Sequence, residues 1–510
     1  MIEMITLDSI RYDFLNTGTC YLAFTYDTAQ LQKVLNLTDD SAVVTDVTES
    51  GTALIVFVEK SDKEHFCETC GERMLSKGPR NRTVNHPVFQ DGRTLTLIVK
   101  SRKWWCPHCY IYEYDQFQFL EKYKRHSKIV PLLILDKMKL ITNTAASIAQ
   151  DLNASDTHVH QTFMQYVDLQ RLPLCTVLSI DEVHLRFDDN DLYALVLMNW
   201  ETGEIIDILP NRYKKTIEKY LRDIPKEERD IVKYLVSDMY DTYTGLAGTW
   251  FRNAVSVIDC FHHTSPIIKK IQYYINSVKK RYQERDRKKL EEENYRNNRN
   301  NKTRKDSPEV HLLKTRDYFL LKNYDDISFE PYFRKTNGSH GGYWVYPRDL
   351  EKKFMALDDK FYRIRELKEK YIRFTRNHVN DMEGAAKELD ELIREYSSCE
   401  ISMFREFAIT LRDHKAGIIA SFNYLRAERS DANHELLRRI SSGPMESYNN
   451  FPKDLKRVSN GVTNFRYTRN RLLWASRKNP EMLAVPRSRE EVHTEGKKRG
   501  PYKKKGSVTE

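Results

Sequence analysis

Three acids stand where a chain seldom leaves one alone. Asp181 interrupts the apolar run LPLCTVLSIDEVHLRF, Asp238 directly follows the strand-like segment IVKYLVS, and Glu446 lies in SSGPMESYNN, where Pro444 suits the first position of a helix. A buried or half-buried carboxylate is costly unless it is paired or binds a cation. Three that converged would repel one another, and one or two Mg²⁺ or Mn²⁺ ions would remove that repulsion while keeping water ligands for chemistry. In two-metal phosphoryl transfer the ions sit about 3.5–4 Å apart, one activating the attacking oxygen and the other stabilising the leaving one. Such a role would explain an acid within a strand. Glu182 alternates to the opposite face from Asp181 and reads as structural.

Four cysteines form a second constellation. Cys67-Glu-Thr-Cys70 and Cys106-Pro-His-Cys109 are two knuckles of the spacing that gives structural zinc a closed, tetrahedral thiolate site. His65 and His108 lie close by and read as surface histidines. A closed site has no position for substrate, so the role it implies is folding and presentation. Arg80, Arg82, Arg93, Lys100, Arg102 and Lys103, with Trp104 and Trp105, would supply phosphate contacts and stacking faces to a DNA-binding zinc ribbon. A solvated basic face with two core tryptophans is the other reading.

In TNTAASIAQDLNASDTHVHQTF, Thr144 can cap a short helix carrying Ile148, Ala149 and Leu152. The turn NAS follows, and Ser155 can cap a second helix packing through Val159 and Phe163. This is the pattern of a helix-turn-helix, in which Thr157, His158, His160 and Gln161 would face DNA. It is also the pattern of a plain helical hairpin.

The elements that must position these groups fit a chain of 510 residues, 40% hydrophobic and 31% charged, long enough for several domains. A net charge of +10 favours a polyanionic partner, either nucleic acid or an anionic membrane surface. The chain reads as cytosolic: no long apolar run is present, the N-terminus lacks the order of a signal peptide, and the remaining cysteines (Cys20, Cys175, Cys260, Cys399) are scattered. Residues 1–58 stay unassigned. The expected zinc ribbon spans 59–118 and the helix-turn-helix 119–172. From 173 to 278 apolar strands alternate with amphipathic helices, which predicts an α/β domain with a mixed sheet. A charged linker and helical insertion, 279–430, precede a last core helix at 431–477 and a basic tail at 478–510.

These residues in this order resemble the DDE transposases of bacterial insertion sequences, specifically the ISL-three family. The resemblance rests on the cysteine pairs, SIDEVHLR, VSDMYDTY, VIDCFHHTSPIIKK and, most specifically, GPMESYNNFPKDLKRVSNGVTNFRYTRNR. It implies an RNase H-like catalytic domain in which Asp181, Asp238 and Glu446 bind Mg²⁺ or Mn²⁺, with Asp259 and His262 either as supporting residues that orient the site or DNA or as a structural Asp–His contact. It further implies strand cleavage at element ends and strand transfer into double-stranded DNA, by a homo-oligomer associated with the nucleoid when bound. Asn449, Asn450, Lys453 and Arg457 would share the helical face of Glu446 and meet phosphates. Pro452 departs from the family pattern and should kink that helix. In GKKRGPYKKKG, Arg499 would enter an A·T minor groove, unless the tail is merely solvated. An RNase H-fold nuclease that stops at hydrolysis, and a transposase-derived DNA-binding regulator without catalysis, remain the alternative readings.

Overall fold

The computed structural model describes residues 10–13, 21–24, 39–50, 53–87, 94–121, 124–187, 191–299, 306–335, 341–428, 437–459 and 464–493, with isolated positions 28, 35, 37 and 461. The chain divides into two compact units, one of Met1–Gln170 with Asp454–Glu510 and one of Arg171–Lys453. Among the described residues no helix is long and apolar enough to cross a membrane.

In the first unit, β1 (Ile10–Asp13) and β2 (Tyr21–Phe24) form an antiparallel pair. A separate sheet has the order β3 (Ala42–Ser50), β4 (Ala53–Lys60), β6 (Thr94–Trp105), β5 (Leu75–His86), with β7 (Tyr112–Tyr114) also paired to β6. Alternation sets its buried face: Leu54, Val56 and Val58 on β4 and Leu95, Leu97 and Val99 on β6 pack under Phe117, Phe119 and Leu120. From Thr94 onward the segments RTLTLIVKS and RKWW form one continuous strand, and Arg93 lies outside the described residues. Each CxxC pair follows a strand end, after β4 and after β6, and the β5–β6 register of Leu75 with Trp105 brings both knuckles to one end of the ribbon.

Helices Ile129–Lys137, Ala145–Asp151 and Asp156–Tyr166 follow, with Thr144 and Ser155 as the N-caps read from sequence. Asn153, in the turn between the second and third, takes the left-handed conformation at φ 49°, which asparagine tolerates. The helix Phe465–Ser476 packs in this same unit: Trp474 Nε1 donates to the Leu135 carbonyl, Arg471 to those of Leu140 and Asn143, and Asn470 to that of Val167. The sequence reading had grouped 431–477 with the catalytic core. Apolar spacing shows that a helix has a buried face but not which neighbour covers it.

The second unit contains a five-stranded sheet of order β10 (Ile205–Leu209), β9 (Ala194–Asn199), β8 (Val177–Val183), β11 (Tyr234–Ser237), β12 (Val255–Ile258). The first three strands in sequence form an antiparallel meander, while β11 and β12 run parallel to β8. Parallel pairing needs crossovers, and the helices Lys214–Arg222 and Asp241–Thr244 lie in them. Both faces are covered, one by Ile217, Leu221, Tyr243 and Phe251, the other by Trp200, Ala420 and Ile440. Two-sided burial is why these strands read as near-continuous apolar runs. At Gly417 an added Cβ would lie 3.0 Å from the Ile258 side chain, so the helix Lys415–Ala420 depends on glycine for its close approach to β12. This mixed α/β architecture fits an RNase H-like transposase domain.

A helical body completes the unit. Its helix Cys260–Arg296 runs unbroken through residue 279, where the sequence reading began a linker. Ile267, Ile271, Ile275 and Val278 bury one stripe of it, and Arg287 pairs with Glu284 and Glu291 along the charged part. The helices Phe361–Arg376, Met382–Ser398 and Ser402–Asp413 pack against that stripe around Phe374, Tyr396 and Phe407. Two short antiparallel strand pairs accompany this body, β13 (Tyr332–Lys335) with β14 (Gly342–Val345), which is largely exposed, and β15 (Tyr424–Arg426) with β16 (Leu437–Arg439), whose Leu425 packs against the β8–β12 sheet.

Candidate functional site

Strand register brings the acids to one edge. Val236 of β11 is level with Ser179 of β8, so the parallel register directs Asp238, just past the end of β11, towards Asp181, which feels its charge. On the other side Ser237 is level with Ile258, which puts Asp259 beside Asp238 just past the end of β12. Asp238 and Asp259 thus follow the C-terminal ends of β11 and β12, and Asp181 lies two residues before the end of the adjacent β8. Glu446 lies in the helix Gly443–Tyr448, which has Pro444 in its first turn. Its Oε1 lies 3.8 Å from His262 Nε2 and 3.1 Å from Ser442 Oγ. Ser442 is fixed in turn by buried Asp259, whose Oδ2 accepts from the Ser442 amide at 2.9 Å and its hydroxyl at 2.6 Å.

Asp181 accepts a hydrogen bond from Asn449 Nδ2 at 2.7 Å. Burial pushes its carboxyl up to about 6; the Glu182 and Asp238 charges add to the rise, while the Glu182 backbone and His262 oppose it. Among the described residues no lysine or arginine pairs with Asp181, Asp238 or Glu446. By contrast Glu182, on the other face, is held by Arg212 Nη1 and Tyr243 Oη, each at 2.6 Å, as a structural acid. Carboxylates paired with no lysine or arginine, with His262 beside Glu446 as the one nearby ionisable base, are oxygen donors of the kind a hard divalent cation takes.

The four cysteines make a tighter group, their sulfurs all within 4.8 Å of one another. The three acids are not gathered that closely. Cys70 and Cys106 Sγ are 3.5 Å apart, and the four are free thiols. Burial acts to raise the Cys67 thiol, but the backbone amides of Cys70 and Thr69 and the neighbouring sulfurs bring it down to about 7. The cluster is compatible with structural zinc. His65 is bonded to Glu113 Oε2 at 2.7 Å and His108 is exposed, so the four sulfurs form the set without them.

A family model described as "Transposase", that of the ISL-three group, matches residues 178–472. The chain belongs to the ISL-three family of transposases. It is also 21% identical over 301 residues to the "Transposase for insertion sequence element IS1001" of Bordetella parapertussis, an alignment that covers 55% of this chain and 64% of that protein. The chain thus spans less than two thirds of the length of this curated relative. The matched segment contains all three acids, Asp259, His262 and Asn449; the cysteine cluster and the helices over 145–166 precede it.

The remaining residues singled out by sequence have varied surroundings. Trp104 is a correction: it is only 3% exposed, donates from Nε1 to Asp115 Oδ1 and stacks on His65, so it is core to the cysteine cluster and offers no face to a base. Arg102 is engaged by the Asp62 carbonyl, and Lys103 lies over the Tyr112 ring. Thr157 is exposed, Gln161 half-buried, His158 half-buried against His126, and His160 packed on Tyr467. Asn449 is buried against Asp181 and therefore does not reach out to a phosphate, whereas Lys453 is exposed and Arg457 pairs with Asp454. The helix is interrupted at Asn449, three residues before Pro452, which has no amide to donate to the Tyr448 carbonyl. Arg499 lies outside the described residues. The sequence reading missed Ser442 and the role of Asn449; the spacing of Asn449 three residues after Glu446 was the available signal.

Proposed function

We propose that this transposase binds the ends of an insertion sequence and catalyses strand cleavage and strand transfer by a DDE mechanism, with Asp181, Asp238 and Glu446 as the divalent-metal ligands. The observation that supports the reading is the nearness of two acids across adjacent parallel strands, Asp181 within β8 and Asp238 just past the end of β11, with no lysine or arginine paired to either among the described residues. A bound Mg²⁺ or Mn²⁺ would supply Lewis-acid activation of the attacking oxygen and charge neutralisation at the leaving one. The chain's own share is positioning. Asn449 holds one carboxylate oxygen of Asp181, and Asp259, through Ser442, fixes the start of the Glu446 helix. In the first step water attacks the phosphorus at an element end, the bond from phosphorus to the 3′ oxygen breaks, and that oxygen leaves with a proton as a 3′-hydroxyl. In the second step this hydroxyl attacks a target phosphodiester and releases the target's own 3′-hydroxyl.

The same proposal assigns zinc to Cys67, Cys70, Cys106 and Cys109, and DNA contacts to the basic ribbon and to the helix Asp156–Tyr166 through Thr157 and Gln161. Lys453 and Arg457 would each serve a DNA phosphate. Engagement of two ends calls for at least two subunits on DNA. The test incubates the full chain and Mg²⁺ with a plasmid carrying the DNA that flanks its gene, beside Asp181→Ala, Asp238→Ala and Glu446→Ala. Joined products that vanish in all three variants while DNA binding persists support the proposal. Cutting without joining would favour a nuclease, and specific binding without either product a regulator.

A further inference from the structure

The hairpin of β13 and β14 is unexplained by the core beneath it. Every residue of β13 is exposed, and on β14 only Val345 is buried. The register pairs Phe333 with Trp344 and Arg334 with Tyr343. Phe333, Lys335 and Trp344 therefore share one face, and Tyr332, Arg334 and Tyr343 the other. Phe333 is 49% and Trp344 58% exposed, yet their rings stand edge to face at 5.8 Å. A Cβ on Gly342 would fall 2.6 Å from the Phe333 ring, so that ring lies across the glycine. Neither Arg334 nor Lys335 forms an ion pair among the described residues, and neither strand carries an acid. A two-stranded hairpin is marginal in water, and an exposed aromatic patch of this kind marks a binding surface.

We infer that this hairpin is a stacking platform for unpaired nucleobases of a DNA strand, the Phe333 and Trp344 rings taking base faces and Lys335, on the same face, an adjoining phosphate. The inference rests on the DNA-acting function proposed above and adds a site to it. Aromatic faces interleaved with cations are the chemistry of single-strand binding, which tolerates any base because every base has a π-face. A second copy of the chain is the poorer occupant: a two-fold contact through this hairpin would set its unpaired cations against their own counterparts.

The test measures binding of the full chain to a fluorescent duplex with an unpaired thymine overhang and to the same duplex fully paired. Trp344→Ala should weaken binding to the overhang roughly fivefold to a hundredfold, the range for loss of one stacked base, and leave the paired duplex unchanged. Trp344→Phe should recover most of the loss. Because the side chain is exposed, these changes leave folding intact. Equal binding of both DNAs by wild type and Trp344→Ala overturns the inference while the transposase proposal stands. So does a change in subunit number, by sedimentation, with overhang affinity unaltered. If wild type binds neither DNA, the DNA-acting proposal falls together with the inference.

Discussion

Asn449 donates from Nδ2 to Asp181 Oδ2 at 2.7 Å, tying the end of the Glu446 helix to the strand that carries the first acid. The amide is buried, and its Oδ1 has no protein partner. This contact makes Asn449 a positioning residue: it orients Asp181 and fixes the spacing of two acids that lie far apart in sequence. Asn449→Ala should slow single-turnover cleavage roughly tenfold to a hundredfold, about 1.4–2.8 kcal/mol of barrier, with DNA affinity unchanged. Asn449→Asp should be worse, because a further carboxylate would face Asp181. A wild-type rate for the alanine variant, or a loss confined to DNA affinity, would refute this role.

Neighbouring acids should behave oppositely. Glu182→Ala strands Arg212 and Tyr243, and the loss of two hydrogen bonds to a charged group should lower stability by about 1–3 kcal/mol. Divalent-cation binding should survive. Asp181→Ala should do the reverse, abolishing cation binding and stabilising the cation-free protein near neutral pH, since it removes an acid whose ionised form the fold disfavours. Denaturant midpoints with and without Mg²⁺ separate the two; equal responses of both variants would contradict the assignment.

Metal analysis of the purified protein should find zinc, and Cys106→Ser should lose it. Because Trp104 packs within the same cluster as Cys67 and Cys106, removal of the metal should alter its fluorescence. Trp104→Ala should likewise reduce zinc retention, an effect that a DNA-stacking tryptophan would not have.

His86 gives the first unit a pH response. Burial lowers its pKa to about 4, against an ordinary value near 6.5, while Ser127 Oγ lies 3.0 Å from Nδ1. The unfolded chain therefore binds the proton first as pH falls. Stability is complete above about pH 6.5 and declines towards pH 4, by about 3 kcal/mol for this group. Urea midpoints from pH 7 to pH 4.5 should fall less steeply in His86→Gln than in wild type. Parallel curves would show that His86 does not contribute.

What the sequence discloses follows from what its patterns encode. The strands of the β8–β12 sheet are readable because two-sided burial leaves apolar runs, and Asp181 and Asp238 stand out against them. The CxxC pairs are equally plain, since a metal constrains spacing locally. Other features depend on contacts that no local pattern specifies. Trp104 looks like a stacking face until Asp115 and His65 are seen to enclose it. Asn449 looks like a phosphate ligand because helical spacing puts it near Glu446 but says nothing of the strand opposite. The charged run after residue 279 reads as a solvated helix that gives way to a linker, and the helix does continue to Arg296 with i,i+3 and i,i+4 pairs along it. The Phe333–Trp344 pair escapes a reading that looks for buried alternation, because both faces of its hairpin are exposed.

The most direct test of the central claim is calorimetric titration of Mn²⁺ into the zinc-loaded, DNA-free protein and into Asp181→Asn, Asp238→Asn and Glu446→Gln. Each substitution replaces a carboxylate with a neutral side chain of the same shape. The expected result is saturable binding to wild type that is lost or strongly weakened in all three variants, with their folding intact. Undiminished Mn²⁺ binding by the three variants would contradict the claim that these acids form one metal site.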